Sequence, residues 1–194
     1  NEIGTVWDRL VEDKESGVLL NRVTQGMYPP GSTFKIVTAL EYIRENPDSY
    51  QNYGFLCNGS YSDGPDRINC YHGTSHGQED FALAFAKSCN AAFADIGIKL
   101  DKGKFQDTLK ELMFNGDLPL DMNYNKSRIQ VSGESSNGEM MQIAIGQGTT
   151  GMSPMHLNMI TCAIANQGTL MKPYLVDRVE NSAGSVVKSF EPSS

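Results

Sequence analysis

The chain has 194 residues, of which 39% are hydrophobic and 20% charged, with a formal net charge of −7. That length suits one domain with a real core, and the acidic balance argues against nucleic acid or an anionic membrane surface as a main partner. No stretch approaches the roughly 20 apolar residues of a membrane helix, and no signal peptide opens the chain.

The first helix predicted runs over Ser32–Glu45. Pro29 and Pro30 resist helix on its N-terminal side, and Gly31 frees the backbone for a tight entry. Apolar residues at 34, 36, 37, 40 and 43 give it the wide face of a central helix. Residues 47–77 read as loop, with one short strand pair around Cys57 and Cys70. Helices follow at 79–87, 90–100 and 102–114, the last with Phe105, Leu109, Leu112 and Met113 inward. Residues 115–137 are polar and irregular. Gly138–Ile145 reads as a helix stopped by Gly146. Ser153 and Pro154, an N-cap and a proline at the first helical position, open another that runs to about Asn166. Leu170–Glu180 and Ser185–Phe190 read as a hairpin around Asn181–Gly184. The chain is thus expected to be mainly α with a few short strands, with no repeat or low-complexity run.

Ser32 and Lys35 stand three apart where the first helix begins, so they can face the same way. A serine hydroxyl is a poor nucleophile until a base takes its proton. A lysine serves as that base only when burial or a helix dipole pulls its pKa down from about 10.4. The pattern alone is weak. Ser185-Val-Val-Lys188 repeats it on a predicted strand, where residues three apart point to opposite faces. The plain alternative for Ser32 is an N-cap serine followed by a solvated lysine. Ser88-Cys89-Asn90, after the helix at 79–87, can aim a hydroxyl and an amide into one cleft. Ser135-Ser136-Asn137 copies it in a polar loop, and helix-end punctuation is the plain alternative for Ser88.

Taken together, Ser-x-x-Lys and Ser-x-Asn belong to the known signature of penicillin-binding proteins and class A β-lactamases. The wider text resembles the transpeptidase domain of penicillin-binding proteins, most closely the monofunctional class B type. The matching stretches are Leu20-Asn-Arg-Val-Thr-Gln-Gly26, Pro30-Gly-Ser-Thr-Phe-Lys-Ile36, His76-Gly77, Ser88-Cys-Asn90 with Phe93, Gly146-Gln-Gly148, and Ser153-Pro154 leading to Ala163-Ile-Ala-Asn-Gln-Gly168. They stand in family order over about residues 17–175. The resemblance implies the mixed α/β, serine β-lactamase-like fold. It also implies a D,D-transpeptidase that cross-links peptidoglycan through a serine acyl-enzyme, with no metal or organic cofactor. Ser32 would be the nucleophile and Lys35 its base. Ser88 would relay a proton to the leaving amine, and Asn90 would hold the substrate peptide and fix Lys35. Stem peptides would be the substrates, β-lactams the covalent inhibitors, and a glycosyltransferase a partner of a membrane-anchored, extracytoplasmic parent.

Two family features are missing from the text. No Lys-Ser/Thr-Gly third motif occurs, and the strands expected before Ser32 have no room. Residues 1–194 are therefore expected to be part of a transpeptidase domain, its helical portion without most of the central sheet. In the family the third-motif strand supplies one oxyanion-hole donor, whose loss typically lowers the rate about 10²–10³-fold. The chain by itself is expected to be inactive or nearly so. The rival readings are a D,D-carboxypeptidase, a β-lactam-hydrolysing or sensing relative, and a non-catalytic cell-wall docking module. A class A β-lactamase would need a deacylating glutamate, and Glu134 and Glu139, the only candidates, lack its context. Class D relatives share the Ser-Thr-Phe-Lys wording but carry an apolar residue where Asn90 stands.

The cysteines at 57, 70, 89 and 162 leave three readings open, in order of weight: free thiols, a Cys57–Cys70 disulfide, and a metal site. The wide spacing disfavours the last, since only His72 and His76 lie nearby. Cys89 reads as buried filler and His76 as a capping or packing residue. Gly146-Gln-Gly148 is no phosphate loop and more simply turns the chain near the cleft.

Overall fold

The computed structural model describes residues 2–13 and 15–194. They divide into two compact units.

The larger unit comprises residues 28–116 and 127–151. Its core is built on α2 (Lys35–Glu45), α4 (Asn90–Lys99) and α6 (Asn137–Ala144). Phe34, Val37, Phe93, Ile96, Met140, Met141 and Ile143 fill it. α4 and α6 cross closely: a Cβ on Gly97 would stand 2.5 Å from the Ala144 Cβ and 2.9 Å from the Met140 carbonyl oxygen. Glycine is what permits that approach. The Thr38 hydroxyl on α2 donates to the Ala144 carbonyl at 2.9 Å and ties α2 to the end of α6. Buried Glu41 on α2 accepts from Thr108 on α5 (Lys102–Glu111), and Arg44 pairs with Glu111 at 2.7 Å.

Several predicted elements change at their ends. The helix expected from Ser32 starts as a 3₁₀ turn, Gly31–Phe34, and becomes α-helical only at Lys35. The helix expected at 79–87 begins two residues later as α3 (Phe81–Ala86). Gln78, Glu79 and Asp80 instead lie on a strand, and the Asp80 carboxylate caps α3 by accepting the Leu83 N–H at 2.7 Å. The helix expected to reach 114 stops at Glu111, because Met113 and Asn115 take left-handed backbone at φ 64° and 60°. Where one strand pair was expected within 47–77, residues 54–80 hold two. β1 (Gly54–Cys57) pairs antiparallel with β4 (Gly77–Asp80), and β2 (Ser60–Asp63) with β3 (Asp66–Asn69). α6 carries a full capping box between Ser136 and Glu139.

The smaller unit comprises the described residues of 1–27 with 117–126 and 152–194. It opens with α1 (Glu2–Glu12), a helix the sequence reading did not anticipate. α7 (Pro154–Ala165) matches expectation, with Ser153 accepting the His156 N–H and proline in the first turn. The terminal hairpin is shorter than predicted: β5 (Arg178–Glu180) pairs with β6 (Val186–Ser189). Pro173 lacks the N–H that a longer strand would need. Among the described residues, every sheet is two-stranded, and no helix is long and apolar enough to cross a membrane.

Candidate active site

All four predicted site residues lie in the larger unit, and the structure brings them together. The 3₁₀ turn exposes Ser32, while Lys35, one turn on, is only 2% exposed. The turn is held from behind. The Gly31 N–H donates to the Gly146 carbonyl at 2.9 Å, and the Thr33 hydroxyl donates to the Pro30 carbonyl at 2.7 Å. Gly146 sits at φ 73°, and a Cβ there would lie 2.1 Å from the Gly31 carbonyl oxygen. The glycine segment after α6 thus turns the chain, as expected, and also lets it press directly on the backbone beside Ser32.

Ser88 and Asn90 arrive from the turn between α3 and α4. Ser88 takes left-handed backbone, φ 53°, an uncommon conformation for serine that aims both its carbonyl and its hydroxyl at Lys35. The Lys35 Nζ lies 3.2 Å from Ser32 Oγ, 3.0 Å from Ser88 Oγ, 2.7 Å from the Ser88 carbonyl oxygen and 2.6 Å from Asn90 Oδ1. Asn90 is oriented by its own amide, whose Nδ2 donates to the Asn69 carbonyl at 3.0 Å.

The partner set suits a base. Two acceptors, the Ser88 carbonyl and Asn90 Oδ1, can take the two N–H groups of a neutral amine. The amine lone pair is then left for a hydroxyl proton, and Ser32 and Ser88 both offer one. Burial pushes the Lys35 ammonium down to about 8, against an opposing pull from the Cys89 and Cys70 side chains. The Phe93 ring, with its centroid 5.6 Å from Nζ, covers part of the lysine.

Glu139, one of the two deacylation candidates, is held in the α6 capping box, where its carboxylate accepts the Ser136 N–H at 2.7 Å. Glu134 is exposed.

The cysteines follow the first of the three readings: all four are free thiols, and the Cys57–Cys70 disulfide is not formed. Cys57, Cys70 and Cys89 are nevertheless buried together with His76 beside them. Cys89 is buried as expected and also caps α4, and His76 is a packing residue against Cys57, its Nδ1 3.4 Å from Sγ, while Asp80 caps α3. Sequence spacing hid this cluster because its members come from four separate turns and strand ends.

A family model for the penicillin-binding protein transpeptidase domain matches residues 8–193. The chain belongs to that family. Among penicillin-binding transpeptidases, the peptidoglycan D,D-transpeptidase PbpA of Mycolicibacterium smegmatis is 27% identical over 96% of this chain and 38% of its own length. The ceftriaxone acyl-enzyme of penicillin-binding protein A from M. tuberculosis superposes with a TM-score of 0.85 at 22% identity, covering 98% of this chain and 43% of that one. The D,D-transpeptidase domain of a peptidoglycan glycosyltransferase from Eggerthella lenta gives a TM-score of 0.86 at 24% identity, over 99% of this chain and 49% of that one. These likenesses establish the penicillin-binding transpeptidase fold. The chain spans less than half the length of each of these relatives.

Proposed function

We propose that residues 1–194 are part of a transpeptidase domain carrying its first two motifs, in a protein that cross-links peptidoglycan stem peptides outside the cytoplasmic membrane. The reading takes the chain as the helical part of the fold, most of the central sheet being supplied elsewhere in the domain. It rests above all on the buried Lys35 amine, placed between the Ser32 and Ser88 hydroxyls with Asn90 and a carbonyl holding its protons.

In this account Lys35, as free amine, takes the Ser32 proton while Ser32 Oγ attacks the carbonyl of the penultimate D-alanine. The tetrahedral intermediate collapses, and the terminal D-alanine leaves as an amine protonated through Ser88. An amine of a second stem peptide then attacks the Ser32 ester and regenerates the serine. Asn90 keeps Lys35 pointed at Ser32 and offers an amide to the donor peptide. A β-lactam enters the same path and leaves its opened ring as an ester on Ser32. The capping role of Glu139 takes one of the two candidate glutamates away from the deacylating role that a class A β-lactamase would need.

The test is incubation of the full-length protein with a D-Ala-D-Ala-ended stem peptide and a free amine acceptor. Release of D-alanine with formation of the cross-linked product supports a transpeptidase. Release without cross-linking indicates a carboxypeptidase. No release, with Ser32 unmodified, points to a docking module.

A further inference from the structure

The Cys57, Cys70 and Cys89 Sγ atoms and the His76 Nδ1 all lie within 4.8 Å of one another. Three of the six edges are 3.7 Å for Cys57–Cys70, 3.7 Å for Cys70–Cys89 and 3.4 Å for Cys57 Sγ to His76 Nδ1. A tetrahedral zinc ion, with Zn–S of about 2.3 Å and Zn–N of about 2.0–2.1 Å, requires S···S edges of about 3.8 Å and S···N edges of about 3.5 Å. Three edges of the cluster therefore already match a coordination shell, and the rest lie within 4.8 Å.

Its surroundings fit thiolates. Each sulfur receives one backbone N–H at 3.4 Å: Gly59 to Cys57, Ala91 to Cys70 and Ala92 to Cys89. Such donors stabilise negative sulfur. The local fold assembles the set from strand ends. Cys57 ends β1 opposite Gly77, which places His76 beside it. Cys70 follows β3 and donates its N–H to the Gly59 carbonyl at 2.9 Å. Cys89 caps α4.

Glu79, three residues beyond His76, is buried beside the cluster, 1% exposed. Its carboxylate reaches the Cys89 thiol.

We infer that Cys57, Cys70, Cys89 and His76 bind one zinc ion as a closed, structural site. Binding displaces the three thiol protons to solvent, and the imidazole donates its Nδ1 lone pair while keeping its proton on Nε2. Four protein ligands leave no open position, so the ion performs no chemistry on substrate. Its effect on the reaction is positional. Cys89 stands between Ser88 and Asn90, and pinning its sulfur to β1, β3 and the β4 entry fixes the turn that presents both groups to Lys35. This last step rests on the proposed roles of Ser88 and Asn90, whereas the metal site does not.

The experiment is metal analysis of the full-length protein, purified without chelator or added metal and then exchanged with cobalt(II). About one zinc per chain is expected, with Co(II) giving thiolate charge-transfer absorption and the visible bands of tetrahedral geometry. Cys162→Ser, at the exposed thiol, should keep the zinc, and Cys70→Ser and His76→Ala should lose it. Chelation should lower the melting temperature and slow acylation by benzylpenicillin. Three results would overturn the site: wild-type protein without metal whose buried thiols all react on unfolding, a mapped Cys57–Cys70 disulfide, or an octahedral cobalt spectrum. These readouts do not depend on catalysis, so a failed transpeptidase assay would leave the metal result standing.

Discussion

Replacing Asn90 by aspartate changes one atom of the side chain but puts a negative charge where Oδ1 now lies 2.6 Å from Lys35 Nζ. An opposite charge at that range favours the ammonium and raises a lysine pKa by about 1–3 units. The starting point is low, because burial holds Lys35 at about 8. At pH 7 a lysine of pKa about 8 is roughly 10% free amine, against about 0.04% for an unperturbed one, so burial supplies about a 200-fold larger fraction of base. Wild-type acylation by a fluorescent penicillin should therefore rise about tenfold per pH unit up to about 8 and then level. In Asn90→Asp the inflection should move up by about 1–3 units, and the rate at pH 7 should fall about 10- to 1000-fold, recovering as pH rises. Stopped-flow acylation from pH 6 to 10 reads both curves. A wild-type rate independent of pH across that range, or an inflection unmoved in Asn90→Asp, would refute Lys35 as the base.

Other outcomes follow from the same geometry. The Lys35 pKa is lowered from 10.5 to about 8 on folding, so the unfolded chain binds more protons between those values. Wild-type unfolding free energy should accordingly gain from this group as pH rises from about 8 to about 10.5, and Lys35→Met should remove that slope in urea titrations. Gly146→Ala forces a Cβ to 2.1 Å from the Gly31 carbonyl at a φ of 73°. It should destabilise the protein by about 2 kcal/mol or more and slow acylation, read by urea midpoint and penicillin labelling. Asp80→Ala removes the acceptor for the Leu83 N–H. It should lower stability by about 1 kcal/mol while leaving the acylation rate near wild type.

The residues proposed to carry the chemistry were legible because the family resemblance singled them out and helix geometry is consistent with their spacing. Ser32 and Lys35 face one another across a single turn, and Ser88 and Asn90 flank a helix start. The 3₁₀ opening of that first turn was not legible, since it is set by Gly31 packing on Gly146, far along the chain. The second strand pair within residues 54–80 escaped for a physical reason. β4 reads Gly-Gln-Glu-Asp, without alternation or β-branched residues, and exists because β1 pairs with it. Helix α1 escaped because Gly4, Thr5 and Val6 are poor helix formers standing early in its length. Hydrophobic periodicity also cannot announce a buried Lys35 or Glu41, each stabilised by partners from another element. The thiol cluster was hidden most completely. Its four members come from β1, the end of β3, the loop before β4 and the start of α4, and the two strand pairings and the α4 cap bring them together.

The central claim is that Ser32 is an acylated nucleophile, and intact-mass spectrometry after incubation with benzylpenicillin tests it most directly. The full-length protein should gain the mass of one penicillin, stable over the time of the measurement, with the adduct mapping to the peptide that contains Ser32 and vanishing in Ser32→Ala. An adduct that persists in Ser32→Ala, or wild-type protein that stays unmodified at saturating penicillin, would contradict the account.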